Sequence, residues 1–364
     1  MKLLLDNIIF SLQRTGGISV YWSEILRRVM THDASVRYLE RPDACRNLQR
    51  AALDLPVDSL LPEVSRIPLQ LSRYLPCRPH LPVRGIFHSS YYRYANTPNV
   101  LNVVTVHDFV YEYFAKGVRR VVHCAQKGLA IRRADMILCD SESTRQDLLR
   151  FHPATELSKV RVVHLAASES FFPLPECIPL PEELLRAGVS AYVLYVGDRS
   201  RYKNFAVAVE AVSRMDGYAL IFVGGKAVTM DEKLLLDKLL TGRYIHLDGV
   251  SSSELNVLYN KAHCLLYPSS YEGFGIPPLE AMKAGCPVVA LDRSSIPEVC
   301  DQAALLATCP AYENFLALMM LLHDSATRRH LKDAGFRQAS LFSWDKTFAE
   351  TVACYEELIS DKPS

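Results

Sequence analysis

The chain of 364 residues has no apolar run approaching the roughly 20 residues that span a bilayer. Its opening Met1-Lys2-Leu3-Leu4-Leu5-Asp6 meets a carboxylate too early for a signal peptide, so a soluble, cytoplasmic protein is expected. Ten cysteines are present but never as Cys-x-x-Cys, and no His/Cys cluster has zinc spacing. Neither a disulfide framework nor a bound metal is implied, and the thiols read as reduced core residues. No Gly-x-Gly-x-x-Gly follows the first strand, which removes a dinucleotide fingerprint there. Internal repeats, low-complexity tracts and RNA-binding motifs are also missing. A net charge of +1 leaves no overall field for nucleic acid, and no nucleic-acid partner is expected.

That near-neutral total hides an asymmetry. Residues 1–173 carry 23 Lys+Arg against 16 Asp+Glu, and residues 174–364 carry 18 against 24. The length exceeds one comfortable core and predicts two domains. Short apolar runs alternate with helical patterns, the signature of parallel sheets covered by helices. In the first half the expected strands are Lys2–Leu5, Gly85–His88, Asn102–Val106, Met136–Cys139 and Lys159–Val163. In the second they are Tyr192–Val196, Tyr218–Val223, Tyr244–Leu247, Cys264–Tyr267 and Pro287–Leu291. Between the two series, Phe172 to Pro181 holds four prolines and reads as the linker. The expected fold is α/β, two Rossmann-like doubly wound domains facing across a cleft, with ligands at the strands' carboxyl ends. The expected divisions are 1–173, 174–342 and a terminal segment 343–364.

The richest stretch is Tyr271-Glu272-Gly273-Phe274-Gly275-Ile276-Pro277-Pro278-Leu279-Glu280. A strand ends just before it, glycines allow unusual turns, and two prolines suit a first helical turn that runs on to Gly285. A helix N-terminus favours phosphate, and carboxylates accept hydrogen bonds from sugar hydroxyls. Turn capping by Glu272 and a dipole contact by Glu280 are the purely structural alternative. In Gly197-Asp198-Arg199-Ser200-Arg201-Tyr202-Lys203-Asn204, three cations follow a strand end and suit a diphosphate, with Arg199 and Lys203 favoured over Arg201. His107 and Asp108 leave the end of another buried strand, where His107 is placed to donate to a hydroxyl. Gly16-Gly17 opens an early helix and is weak by itself. Segment 64–84 mixes Leu, Ile and Tyr with arginines, and prolines interrupt it; peripheral contact with a membrane is one reading, a charged irregular loop the other.

Together, in this order, these residues resemble the retaining, nucleotide-sugar-dependent glycosyltransferases of family 4, of GT-B fold. The text around Leu5–Ser11 and Phe87–Tyr92 is similar to the bacterial branch that builds surface polysaccharides. The resemblance implies that Glu280 binds the donor ribose, that Glu272 lies beside the transferred sugar, and that Arg199 and Lys203 hold the diphosphate. It implies further donor contacts at Gly16, Gly17, Asn204, Gly249, Val250, Gly273, Phe274, Gly275 and Ile276, with His107 touching the sugar. The segment from Ser343 resembles the family's terminal helix, which crosses back to the first domain. The implied donor is a GDP-, UDP- or dTDP-sugar, mannose mildly preferred, without a metal. The implied acceptor is a saccharide, free or lipid-linked, at the cytoplasmic face of the inner membrane. A non-catalytic sugar-nucleotide-binding subunit and a nucleotide-sugar epimerase are the alternatives.

Overall fold

The computed structural model describes residues 2–32, 35–63, 67–78 and 85–360. Residues 64–66 and 79–84 of the segment read above as a membrane contact lie outside them. The chain divides into two compact units, Met1–Leu165 with Trp344–Ser364, and Ala166–Ser343.

The first unit holds a seven-stranded parallel sheet of order β3-β2-β1-β4-β5-β6-β7. Its strands are β1 Leu3–Asp6, β2 Arg37–Glu40, β3 Leu60–Pro62, β4 Gly85–Ser89, β5 Val100–Val106, β6 Met136–Cys139 and β7 Val160–Val162. Every residue of β1, β4, β5 and β6 is buried, as strands covered by helices on both faces must be. The second unit repeats the plan with six strands, β10-β9-β8-β11-β12-β13. These are β8 Tyr192–Val196, β9 Ala219–Val223, β10 Tyr244–Leu247, β11 Leu265–Tyr267, β12 Val288–Leu291 and β13 Ala304–Ala307. In each sheet the chain runs outward in one direction, returns, and runs out the other way. The switch points fall between β1 and β4, and between β8 and β11.

Three strands extend the expected set: β2, β3 and β13. All lie toward sheet edges and are only partly buried, so they lack the continuous apolar run that marks the central strands. All ten cysteines are free. Among the described residues no helix is long and apolar enough to cross a membrane.

The proline stretch 172–181 lies in the second unit. Prolines leave neighbouring backbone groups without ladder partners, and two asparagines of the helix Ser252–Lys261 take them over. Asn256 Oδ1 accepts from the Phe172 amide at 3.1 Å, Asn260 Oδ1 from the Leu174 amide at 2.7 Å, and Asn260 Nδ2 donates to the Phe172 carbonyl at 3.0 Å.

The last helix, Trp344–Ser360, packs within the first unit. Thr347 donates to the His164 carbonyl at 2.6 Å, and Arg28 pairs with Asp345 at 2.7 Å. The anchor is Tyr355, wholly buried, with its hydroxyl 2.6 Å from His88 Nδ1, while His88 Nε2 lies 2.9 Å from Thr105 Oγ1. Burial, with His107 nearby, pushes His88 down to about 3, so its ring stays neutral. Tyr355→Ala removes a buried aromatic and leaves His88 a bond short. It is expected to destabilise the first unit by about 3–5 kcal/mol. Urea unfolding followed by fluorescence checks this.

Candidate functional site

The carboxyl edge of the second sheet assembles the largest group of expected residues. β8 ends at Val196, and Gly197 turns the chain with φ 135° into the segment 198–204. Arg201–Lys203 form a short 3-10 turn, and Asn204, at φ 52°, opens the helix Phe205–Ser213. Beside it, β11 ends at Tyr267 and gives the loop 268–275. The two loops are stitched across the switch point. The Ser270 amide donates to the Tyr202 carbonyl at 2.8 Å, and Asn204 Nδ2 donates to the Pro268 carbonyl at 2.8 Å and to Ser270 Oγ at 2.7 Å. Asn204 therefore joins loops rather than offering its amide nitrogen to a ligand.

Lys203 completes the junction, with Nζ 2.6 Å from Glu272 Oε1 and 3.5 Å from the Tyr267 hydroxyl. The two charged side chains keep only 12% and 14% of their surface exposed. A third loop, after β12, fixes the carboxylate's backbone. Ser294 Oγ accepts from the Glu272 amide at 2.8 Å, and Ser295 Oγ donates to the Phe274 carbonyl at 2.6 Å and the Glu272 carbonyl at 3.0 Å.

From there the chain enters the helix Ile276–Ala284, with Pro277 and Pro278 in its first turn. Gly275 caps it at φ 113°, and a Cβ there would meet Ile296 Cδ1 at 2.9 Å, so the turn requires glycine. Gly273 does not use positive φ. The Gly275 and Ile276 amides have no partner among the described residues and stand at the positive end of the helix dipole, an arrangement suited to phosphate. Glu280 lies one turn on. Tyr259 donates to its Oε2 at 3.0 Å. Burial lifts the Glu280 carboxyl to about 7, and the Tyr259 bond only partly offsets this.

Arg199, expected to hold the diphosphate, is engaged within the second unit. Its Nε pairs with Glu232 at 3.0 Å, Nη1 donates to the Gly224 carbonyl at 3.0 Å, and Nη2 donates to the Lys226 carbonyl. The guanidinium lies over Phe205 and Phe222 with 4% of its side chain exposed, and a Cβ on Gly225 would strike it at 2.7 Å. It binds the turn after β9 to the segment after β8. A diphosphate would have to displace all three bonds. Arg201 is the exposed arginine of this segment.

Gly249, at φ 68°, and Val250 follow β10 and lead into Ser251, which caps the helix Ser252–Lys261 with Glu254. No hydrogen bond or ion pair ties them to Lys203 or Glu272 among the described residues.

In the first unit, His107 follows β5 and is buried, with Nδ1 2.8 Å from Asp140 Oδ2. Asp140 holds the ring, and Asp108 accepts from the Val110 amide at 3.0 Å and shapes the loop. Burial opposes the charged ring, but the charge and hydrogen bond of Asp140, with Asp108 nearby, outweigh it and raise the His107 pKa. Because a carboxylate accepts, Nδ1 carries the proton, and Nε2 is the atom left for a ligand. Gly17 opens the helix Gly17–His32 with open space where a Cβ would be, whereas Gly16 is closely packed by Gln13.

Asp140 was legible in principle. It follows β6 as His107 follows β5, and Val106 pairs in register with Cys139. Tyr259, Ser294 and Ser295 gave no sequence signal. Glu112, His123 and Cys124 bring ligand atoms within 4.8 Å of one another, but Lys127 Nζ, 2.8 Å from Glu112, already supplies the cation there.

Residues 180–338 match the family model described as glycosyl transferases group 1. The matched stretch contains Lys203, Glu272, Glu280 and their partners. The chain is 31% identical over 237 residues to an O-antigen chain mannosyltransferase B of Escherichia coli, covering 62% of this chain and 61% of that protein. Its matches thus span less than two thirds of the first curated relatives' length. Sucrose-phosphate synthase from Thermosynechococcus elongatus superposes with a TM-score of 0.74 at 17% identity, covering 99% of each chain. Anabaena HepE in complex with UDP and glucose gives 0.71 at 14% identity, covering 97% of this chain and 99% of its own. These likenesses establish the fold as GT-B, two Rossmann-like α/β units.

Glu280 makes folding stability pH-dependent. Its folded pKa lies above the ordinary 4.5, so the folded state holds the proton more tightly. The stabilisation is fully present below about 4.5 and is lost as pH rises through about 7. Thermal melts against pH should show this slope in the wild type and its loss in Glu280→Gln, which imitates the protonated acid.

Proposed function

We propose that the protein is a glycosyltransferase that moves a hexose or deoxyhexose from a nucleotide diphosphate sugar to a saccharide or lipid-linked acceptor. The setting is bacterial surface-polysaccharide synthesis, on the cytoplasmic side of the inner membrane. The observation that carries this is the Lys203–Glu272 pair at the switch point of a group 1 domain, beside two unpartnered amides at a helix N-terminus. The E. coli relative's name favours mannose, and the UDP and glucose bound by the Anabaena neighbour favour a nucleotide-sugar donor. GDP-, UDP- and dTDP-sugars are the candidates, and GDP-mannose comes first.

In this reading Lys203 and Arg201 face the donor diphosphate, assisted by the Gly275 and Ile276 amides. Arg199 holds the frame behind them. Glu280 accepts from the ribose hydroxyls, and Glu272 holds the transferred sugar beside its reacting carbon. The bond from that carbon to the diphosphate oxygen breaks as the acceptor oxygen bonds to the same face, giving retention. The acceptor proton passes to the departing phosphate oxygen, so neither a protein nucleophile nor a metal is invoked.

Cations placed where charge develops act strongest in the transition state. Lys203→Ala is expected to lower kcat by roughly 100- to 1000-fold, the usual cost of one such contact. Arg201→Ala should chiefly raise the donor KM, whereas Arg199→Ala should chiefly lower stability. Turnover of sugar nucleotides with saccharide acceptors checks this. Full activity in both Lys203→Ala and Glu272→Ala would remove the site assignment, and donor binding without transfer would leave a non-catalytic subunit.

A further inference from the structure

We propose that His263 and His323, on either side of the Tyr218 hydroxyl, form a binding site for a divalent transition-metal ion of the zinc class. All three residues belong to the second unit. Tyr218 precedes β9, His263 precedes β11, and His323 follows the helix Tyr312–Leu321. They stand at the amino edge of the second sheet, the end opposite Lys203 and Glu272.

Each imidazole has one nitrogen committed. His263 Nε2 donates to the Met319 carbonyl at 3.0 Å, and His323 Nδ1 donates to the Met320 carbonyl at 3.2 Å. A carbonyl can only accept, so these nitrogens carry the protons and the tautomers of the neutral rings are fixed. The other nitrogens, His263 Nδ1 and His323 Nε2, present lone pairs. Both face the Tyr218 hydroxyl, at 3.4 and 3.2 Å. That hydroxyl has a single proton and satisfies only one of them. The two rings lie 5.1 Å apart between centroids. Convergent imidazole lone pairs are a donor set for zinc, nickel or copper.

The outer bonds support the same reading. A histidine that ligates a metal ordinarily gives its other N–H to a carbonyl or carboxylate, which orients the ring. Here both rings have that support, from consecutive carbonyls in the last turn of one helix, whose dipole also favours a cation. His323 is exposed, and Tyr218 and His263 are partly exposed, so an ion reaches the site from solvent and takes water as its remaining ligands. Arg328 is the neighbouring cation, and it donates to the His263 carbonyl at 2.6 Å and the Ala262 carbonyl at 3.0 Å, on the backbone side. The two histidines are far apart in the chain, so no zinc spacing marks them. The ion ties the turn after Tyr312–Leu321 to the base of β9 and β11, and the transfer chemistry proposed above needs none of it.

The full chain, without a histidine tag and stripped with EDTA, is titrated with zinc chloride by calorimetry. One zinc ion per chain is expected, and the melting temperature should rise as zinc is added, because the ion binds the folded state. His323→Ala should weaken zinc binding by more than about 10-fold, the cost of losing even a supporting contact of a metal site. It should also remove the rise in melting, yet melt with the wild type in EDTA, since His323 is exposed. His263→Ala should weaken binding as much. Copper supplies a spectroscopic signature: its paramagnetic resonance should show two imidazole nitrogens in the wild type and one in His323→Ala. Donor turnover should be unchanged in His323→Ala, so failure here is separable from failure of the transfer reading. A wild type that binds no zinc overturns the inference. So does zinc binding that both histidine variants retain, which would place the ion on other groups such as Glu112, His123 and Cys124.

Discussion

Lys203 and Glu272 stand 69 residues apart in the chain and 2.6 Å apart in space, on loops that follow β8 and β11. Those strands are neighbours in the sheet, but their following segments lead to different helices, so the sheet alone does not fix how the loops meet. Side chains and loop amides do. Asn204 and Ser270 supply the neutral bonds, and the ion pair supplies the charged one. A pair with this little exposure is costly to break from one side, because the remaining charge stays partly desolvated. The pair thus closes the junction between the two loops with a charged bond.

The basic segment divides its labour by burial. Arg199 uses its planar fork on two carbonyls and a carboxylate beneath aromatic rings, which suits arginine as a rigid connector. Lys203 is a mobile point charge facing one carboxylate, and Arg201 is exposed. The two glutamates divide in the same way. Glu272 faces a cation, whereas Glu280 faces a phenol in a buried setting that lifts its carboxyl to about 7. Two carboxylates eight positions apart thus occupy opposite electrostatic environments.

Central strands were readable because burial on both faces writes an apolar run, as in Tyr192–Val196 and Val100–Val106. β2, β3 and β13 were not, since partly buried strands toward the sheet margins need no such run. The turn at Gly275 and the helix to Gly285 were legible from glycine and proline chemistry alone. The bonds of Arg199 were not legible for a physical reason. Its sequence position, just past a strand end, is the same for a phosphate ligand as for a clamp, and its partners Glu232 and Gly224 are distant in the chain. The same holds for His107, whose partner Asp140 comes from the adjacent strand and not from the next residue.

The central claim is that the loops meeting at the β8–β11 switch point hold a sugar nucleotide. Hydrogen–deuterium exchange of the full chain, with and without GDP-mannose, UDP-glucose or a dTDP-sugar, tests it at the level of individual amides. At least one of these donors is predicted to slow exchange in 197–204 and in 272–280, with the strongest protection at Gly275 and Ile276. Protection elsewhere by a donor that demonstrably binds, with these two segments unchanged, would contradict the account.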